Sequence, residues 1–258
     1  MILIYFLVAL LSTIAGSMAG LGGGVIIKPV LDFLGDYNIA TISVLSSFTV
    51  FAMAIVSIIR QILYKSKIDI KNTGALAIGS VLGGLLGQQV LTLILDVVES
   101  RIVSLVQSGI LALLLIFVYI YMNYKERFKS YKIDSFVLSI LIGIFLGLIA
   151  AFLGIGGGPI NVAFLTIFFS MEAKNAARNS IIIILFSQGS KLLTIACGTG
   201  FSVYDLSMLG YMVLGGILGG FIGAKFNKIF SNEVILKVFN TVVIMIIGLN
   251  IYNFIIAI

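Results

Sequence analysis

Three kinds of residue in this sequence could do chemistry in an apolar setting: two glycine triplets, two isolated lysines, and a scatter of hydroxyls and amides. Gly22-Gly23-Gly24 and Gly156-Gly157-Gly158 each lie inside a long apolar stretch. Glycine adopts backbone angles closed to other residues and weakens a helix interior by about 0.5–1 kcal/mol relative to alanine. Three in a row predict a broken helix, whose unpaired amides and N-terminal dipole suit an anion. Such amides survive at membrane depth only where protein buries them or a wet cavity adjoins them. A tight turn with no ligand is the competing reading for either triplet taken alone.

Lys191 sits within the apolar stretch 177–197, with Gln188, Ser187 and Asn179 on the same segment. An ionisable group there costs about 2.5–3.5 kcal/mol on insertion scales, so it serves function or snorkels outward. The favoured reading is a cationic contact for an anion. Lys28 follows the first triplet by one turn and either lines the same pathway or snorkels. Asn161, Ser43, Ser46 and Ser47, with Ser180 and Thr49, are candidate pathway groups; bonding between helices explains any one of them equally well.

The absences are as informative. The chain has no histidine and one cysteine, Cys197, which removes the commonest general base and metal ligand. No enzyme, metal site or cofactor is expected. All ten acidic residues fall in or beside connectors, whereas cation carriers need a buried carboxylate. A net charge of +6 could suggest nucleic acid, but the cations are spread over short connectors, as orientation signals are.

The elements that must position these residues are membrane helices. Of 258 residues, 60% are hydrophobic and 10% charged, and the mean hydropathy is +1.22; only a bilayer can be the solvent. Apolar blocks run over 2–27, 38–59, 73–95, 102–122, 135–169, 177–197, 206–224 and 234–258. The first and fifth, extended to Gly35 and Ser170, are too long for one crossing and carry the triplets. The glycines recur in order: Gly79, Gly83 and Gly87 reappear as Gly215, Gly219 and Gly223, a small-residue ladder read as helix packing, and Asp69 reappears as Asp205. The chain thus reads as an all-α membrane protein of two repeats, 1–123 and 135–258, joined by a cytoplasmic linker at 124–134.

If each triplet splits its block into two opposed helices, each half has five segments and the second is inverted. The stretches 60–72, 124–134, 172–178 and 225–237 then share one face and hold thirteen of the sixteen basic residues. The positive-inside rule makes that face cytoplasmic and puts the N-terminus outside. The uncharged start, read as mature structure, lacks the basic region of a signal peptide. Inverted-repeat transporters bind substrate at paired broken helices, so a central site is expected among the triplets, Lys28, Lys191, Gln188, Asn179, Asn161 and the Ser43–Ser47 region.

The run Gly20-Leu21-Gly22-Gly23-Gly24-Val25-Ile26-Ile27-Lys28-Pro29-Val30-Leu31 and its second copy, Gly154-Ile155-Gly156-Gly157-Gly158-Pro159-Ile160, resemble the two signatures of the sulfite exporter TauE/SafE family. Ala40-x-x-Ser43 and Ala176-x-x-Asn179-Ser180 sit where that family has Ala-x-x-Thr-Ser, and the likeness covers nearly the whole chain. Pro159, Asn179 and Ala163-Phe164 depart from it. The resemblance implies a permease for sulfite, sulfonates or related organosulfur acids in the bacterial cytoplasmic membrane. The alternatives are a passive anion channel and a permease for another small anion. A small anion and the bilayer are the expected partners; a homodimer is allowed.

Overall fold

The computed structural model describes residues 2–66, 68–124, 127 and 131–257. Three basic residues used in the orientation argument, Lys67, Lys125 and Lys129, lie outside the described residues, as do five of the eleven linker positions.

Ten helices follow one another with no strand among the described residues. They are α1 (Ile2–Ala19), α2 (Gly24–Leu34), α3 (Ile39–Leu63), α4 (Ile70–Val97) and α5 (Ser100–Tyr124), then α6 (Phe136–Leu153), α7 (Gly158–Phe169), α8 (Ala173–Cys197), α9 (Leu209–Ile229) and α10 (Asn232–Ala257). Eight are long and apolar enough to cross a membrane; α2 and α7 are not among them. Both long apolar blocks break where the triplets stand, and each short helix follows its break. Gly22 and Gly23 have φ of 79° and 72°, Gly156 and Gly157 of 77° and 73°, values that other residues seldom adopt.

Contacts at the helix ends show where each broken pair returns. The Tyr5 hydroxyl, near the start of α1, donates to Asp36 just beyond α2 at 2.6 Å. In the other half, Tyr131 N and Ile133 N donate to Ile167 O and Phe168 O near the end of α7, at 2.7 and 2.9 Å. Each broken pair therefore begins and ends at one level. Local caps fix where the long helices start: Asn38 Oδ1 accepts from Thr41 N at 2.8 Å, and Asp69 Oδ1 from Asn72 N at 3.1 Å, satisfying amides that a helix start leaves open.

The halves are laced together through glycine. A Cβ on Gly79, Gly83 or Gly87 of α4 would strike the carbonyls of Ile140, Ile144 and Leu148 on α6. On Gly215, Gly219 or Gly223 of α9 it would strike those of Phe6, Leu10 and Ile14 on α1. The ladders are packing devices that let backbones touch, as the small-residue spacing requires. α3 packs on α9 and on α8, α8 on α4, and α5 on α10. Swapping the first five helices for the second five leaves this set of pairs unchanged. Large side chains such as Leu82, Leu86, Leu113, Phe145 and Leu214 face outward, where lipid receives them.

Candidate anion site

The two breaks meet. A Cβ on Gly24, at the start of α2, would lie 2.7 Å from Ile155 O and 3.1 Å from Ser46 Oγ. On Gly158, at the start of α7, it would strike Leu21 O. Each helix start is thus covered by a carbonyl of the opposite break. The first bond of full helical spacing in α2 runs from Ile27 N to Gly23 O at 2.9 Å, and in α7 from Asn161 N to Gly157 O at 2.8 Å.

A cavity of about 550 Å³ opens between the start of α3, the end of α4 and the end of α8. Its walls include Val44, Leu91 and Ile195, with Gln88, Thr92 and Thr194 as polar groups, and it reaches Ser43 and Lys191. Neither glycine triplet lines it. Lys191 is 1% exposed, and its Nζ donates to the Ser43 hydroxyl and, at 3.3 Å, to the Ser43 carbonyl. Among the described residues the one ion pair, Lys71–Asp134 at 2.7 Å, is on the surface, so no carboxylate neutralises Lys191. The ammonium is held inside by α3 instead of reaching for an interface.

Lys28 is also interior. Its Nζ donates to Gln107 Oε1 on α5, and Gln107 Nε2 donates to Phe152 O at 2.6 Å. The turn at Gly154 separates the two lysines: a Cβ there would lie 3.0 Å from Ser43 Oγ and 3.6 Å from Lys28 Cδ. Two buried cations flank the approach to the second break, one inside the cavity and one behind it.

The remaining candidates divide. Ser47 donates to Ser43 O at 2.7 Å, within its own helix. Gln188 is buried with Nε2 3.6 Å from a Cβ on Gly156, and no hydrogen bond claims its amide among the described residues. Asn161 sits beside Gly157, its buried Oδ1 unpartnered. Asn179 is elsewhere: Oδ1 accepts from Thr73 Oγ1 at 2.7 Å and Asp69 N at 3.2 Å. It precedes Lys191 by twelve residues, about 18 Å along a helix. Ser43, Lys191, Gly154, Gln188 and Lys28 come together; Asn179 joins α8 to the start of α4. Gln107 was not singled out in the sequence, although a glutamine within an apolar helix of low charge is itself a signal.

These features define a multi-pass helical membrane protein with paired broken helices and a cationic interior. Residues 5–251 match the sulfite exporter TauE/SafE family. The chain belongs to that family and is a membrane transporter. No curated protein and no solved structure matches it.

Proposed function

We propose that this transporter is a permease for a small sulfur-containing anion, sulfite, a sulfonate or a related organosulfur acid, working by alternating access across the cytoplasmic membrane. The observation that carries the reading is the Lys191 ammonium, buried at the cavity with hydroxyl and carbonyl acceptors but no carboxylate. A charge so placed is costly unless it serves function, and an arriving oxyanion would supply the missing counter-charge. Gln188 and the Gly154–Gly156 backbone lie next along the path, where the amides of α7 begin.

Two halves, 1–123 and 135–258, would move against each other about the meeting breaks. The helix pairings that survive exchange of the halves support a repeat. The α1–α2 pair closes on the level of Asp36 and the α6–α7 pair on the level of Tyr131 and Ser170, which supports opposite insertion. We place the Tyr131 face in the cytoplasm because Lys71, Lys132, Lys174 and Lys228 gather there. A carrier suits the geometry better than a passive channel, since beyond Ser43 and Lys191 the two breaks fill the path. Counterflow in proteoliposomes tests this: preloaded sulfite or ethanesulfonate should accelerate uptake of the same labelled anion. Flux that is linear in concentration and indifferent to preloading would indicate a channel.

A further inference from the structure

Contacts between the halves repeat in one register. Gly20 lies against Ala177 as Gly154 lies against Ser43, and both offsets are 134 (154 less 20, 177 less 43). Ser180 Oγ donates to Gly20 O at 2.8 Å and lies 3.4 Å from Gly158 O; within each half, Ser180 beside Gly158 and Ser46 beside Gly24 keep the same offset. The Gly79 and Gly215 ladders that join α4 and α9 to the opposite half are 136 apart. Ser46, rather than Ser43, is therefore the counterpart of Ser180, and the two-residue insertion falls after α3 and α8.

That register carries the open cavity to the other face. Val44 maps to Arg178 and Leu91 to Asn227; Thr92 maps to Lys228 and Thr194 to Arg60. These counterparts stand together and are tied by direct contacts. Arg178 Nε donates to Asn227 Oδ1 at 2.8 Å, and Asn227 Nδ2 donates to Met18 O at 2.7 Å. The Arg60 guanidinium lies 3.8 Å from the Phe221 ring centre and 4.9 Å from that of Tyr64, and Lys228 Nζ lies 4.2 Å from the Tyr64 ring centre. Among the described residues no carboxylate lies within ion-pair distance of Arg60, Arg178 or Lys228. Arg60 Nε and the Oε1 of Gln61, which is 4% exposed, are buried without a partner.

We propose that this cluster is a second anion vestibule, shut in this conformation by the Arg178–Asn227 bond, in which Arg60 and Arg178 contact the anion directly. The inference rests on the two-half carrier reading and extends it to a new pair of residues. The outer cavity holds its cation deep, at Lys191; the second holds its cations at the mouth, with Ser57 at the depth of Lys191. Like charges so crowded repel unless an anion joins them, and a guanidinium offers an oxyanion two parallel donors. A lipid phosphate has the same chemistry as a dissolved oxyanion, so the test separates them.

Two measurements decide it. In a Cys197→Ser background, Ser57→Cys, behind the bond, should react slowly with an impermeant maleimide applied to the vestibule face, and adding Arg178→Ala should raise that rate about tenfold. An unchanged rate overturns the gate. In liposomes of phosphatidylcholine alone, Arg60→Gln and Arg178→Gln should each raise KM for ethanesulfonate about tenfold from that face only, with Arg178→Lys recovering part of the loss. Equal losses from both faces, or an effect confined to liposomes containing anionic lipid, overturn the direct contact. If the wild-type protein moves no anion, the carrier reading falls, while the labelling rate still tests the vestibule.

Discussion

The Lys191 ammonium reaches across from α8 to bond both the hydroxyl and the carbonyl of Ser43 on α3. The same carbonyl accepts the Ser47 hydroxyl at 2.7 Å, so one peptide group near the start of α3 anchors the interior charge. α3 and α8 are the third helix in the first and second sets of five. This bond therefore ties the cavity to the interface that alternating access would have to move.

Ser43→Ala should loosen that tie without removing the charge. A hydrogen bond to a charged group is worth about 1.5–3 kcal/mol, and the carbonyl acceptor remains, so the lower end is expected. Thermal unfolding in detergent should show a drop of a few degrees. A larger drop for Ser47→Ala than for Ser43→Ala would reverse the assignment.

Gln107→Leu should destabilise the protein more. It strips Lys28 of its acceptor and leaves Phe152 O unclaimed, at about 1.5–3 kcal/mol for the charged bond alone. Gln107→Glu keeps an acceptor for Lys28 but loses the donor to Phe152 O, so it should melt between the wild type and the leucine variant. If the leucine variant melts like the wild type, the pairing contributes nothing.

Gly83→Ala and Gly210→Ala separate packing from propensity. Both glycines lie in helices, but a Cβ on Gly83 meets α6 backbone, whereas on Gly210 it meets nothing within 4 Å. Overpacking should cost about 1–3 kcal/mol at Gly83; at Gly210 alanine should gain up to about 1 kcal/mol. Chemical-denaturant unfolding of the two variants checks the opposite signs.

Gly157→Leu should abolish folding or flux, because φ is 73° and a Cβ would lie 2.8 Å from the Cβ of Ala150. Gly35 has φ of 71° with open space around it, so Gly35→Asn, a residue that tolerates this conformation, should pass both assays. Equal tolerance at the two sites would contradict the close fit of the breaks.

Asp205, in the loop that carries the cavity residue Tyr204, accepts from Ser207 N at 3.0 Å. That bond holds its carboxyl below the usual carboxylate range. A carboxyl whose folded value is depressed stays ionised at neutral pH and protonates only in acid. Asp205→Asn should therefore leave the flux profile between about pH 6 and pH 8 unshifted, as stopped-time uptake would record.

The breaks, the glycine ladders and the interior lysines were legible in the sequence because each breaks a local rule: glycine where helix is wanted, charge where hydrocarbon is wanted. Asn179 and Lys191 look alike along the chain, both polar and both on α8, but helix rise alone separates them by about 18 Å. The Lys28–Gln107 bond was hidden because α2 and α5 meet only through tertiary packing. The gathering of Arg60, Arg178 and Lys228 was hidden for the same reason: along the chain each is an ordinary connector cation. The cavity could not be read either, since spacing says which face a residue takes and not whether the opposite helix fills it.

Anion uptake by proteoliposomes bearing Lys191→Ala, beside Lys191→Arg and the wild type, addresses the role of the interior charge most directly. The alanine variant should lose at least tenfold in flux while still purifying as a folded, monodisperse protein, and arginine, which keeps the charge, should retain a measurable fraction. Wild-type flux in a folded Lys191→Ala protein would contradict the account.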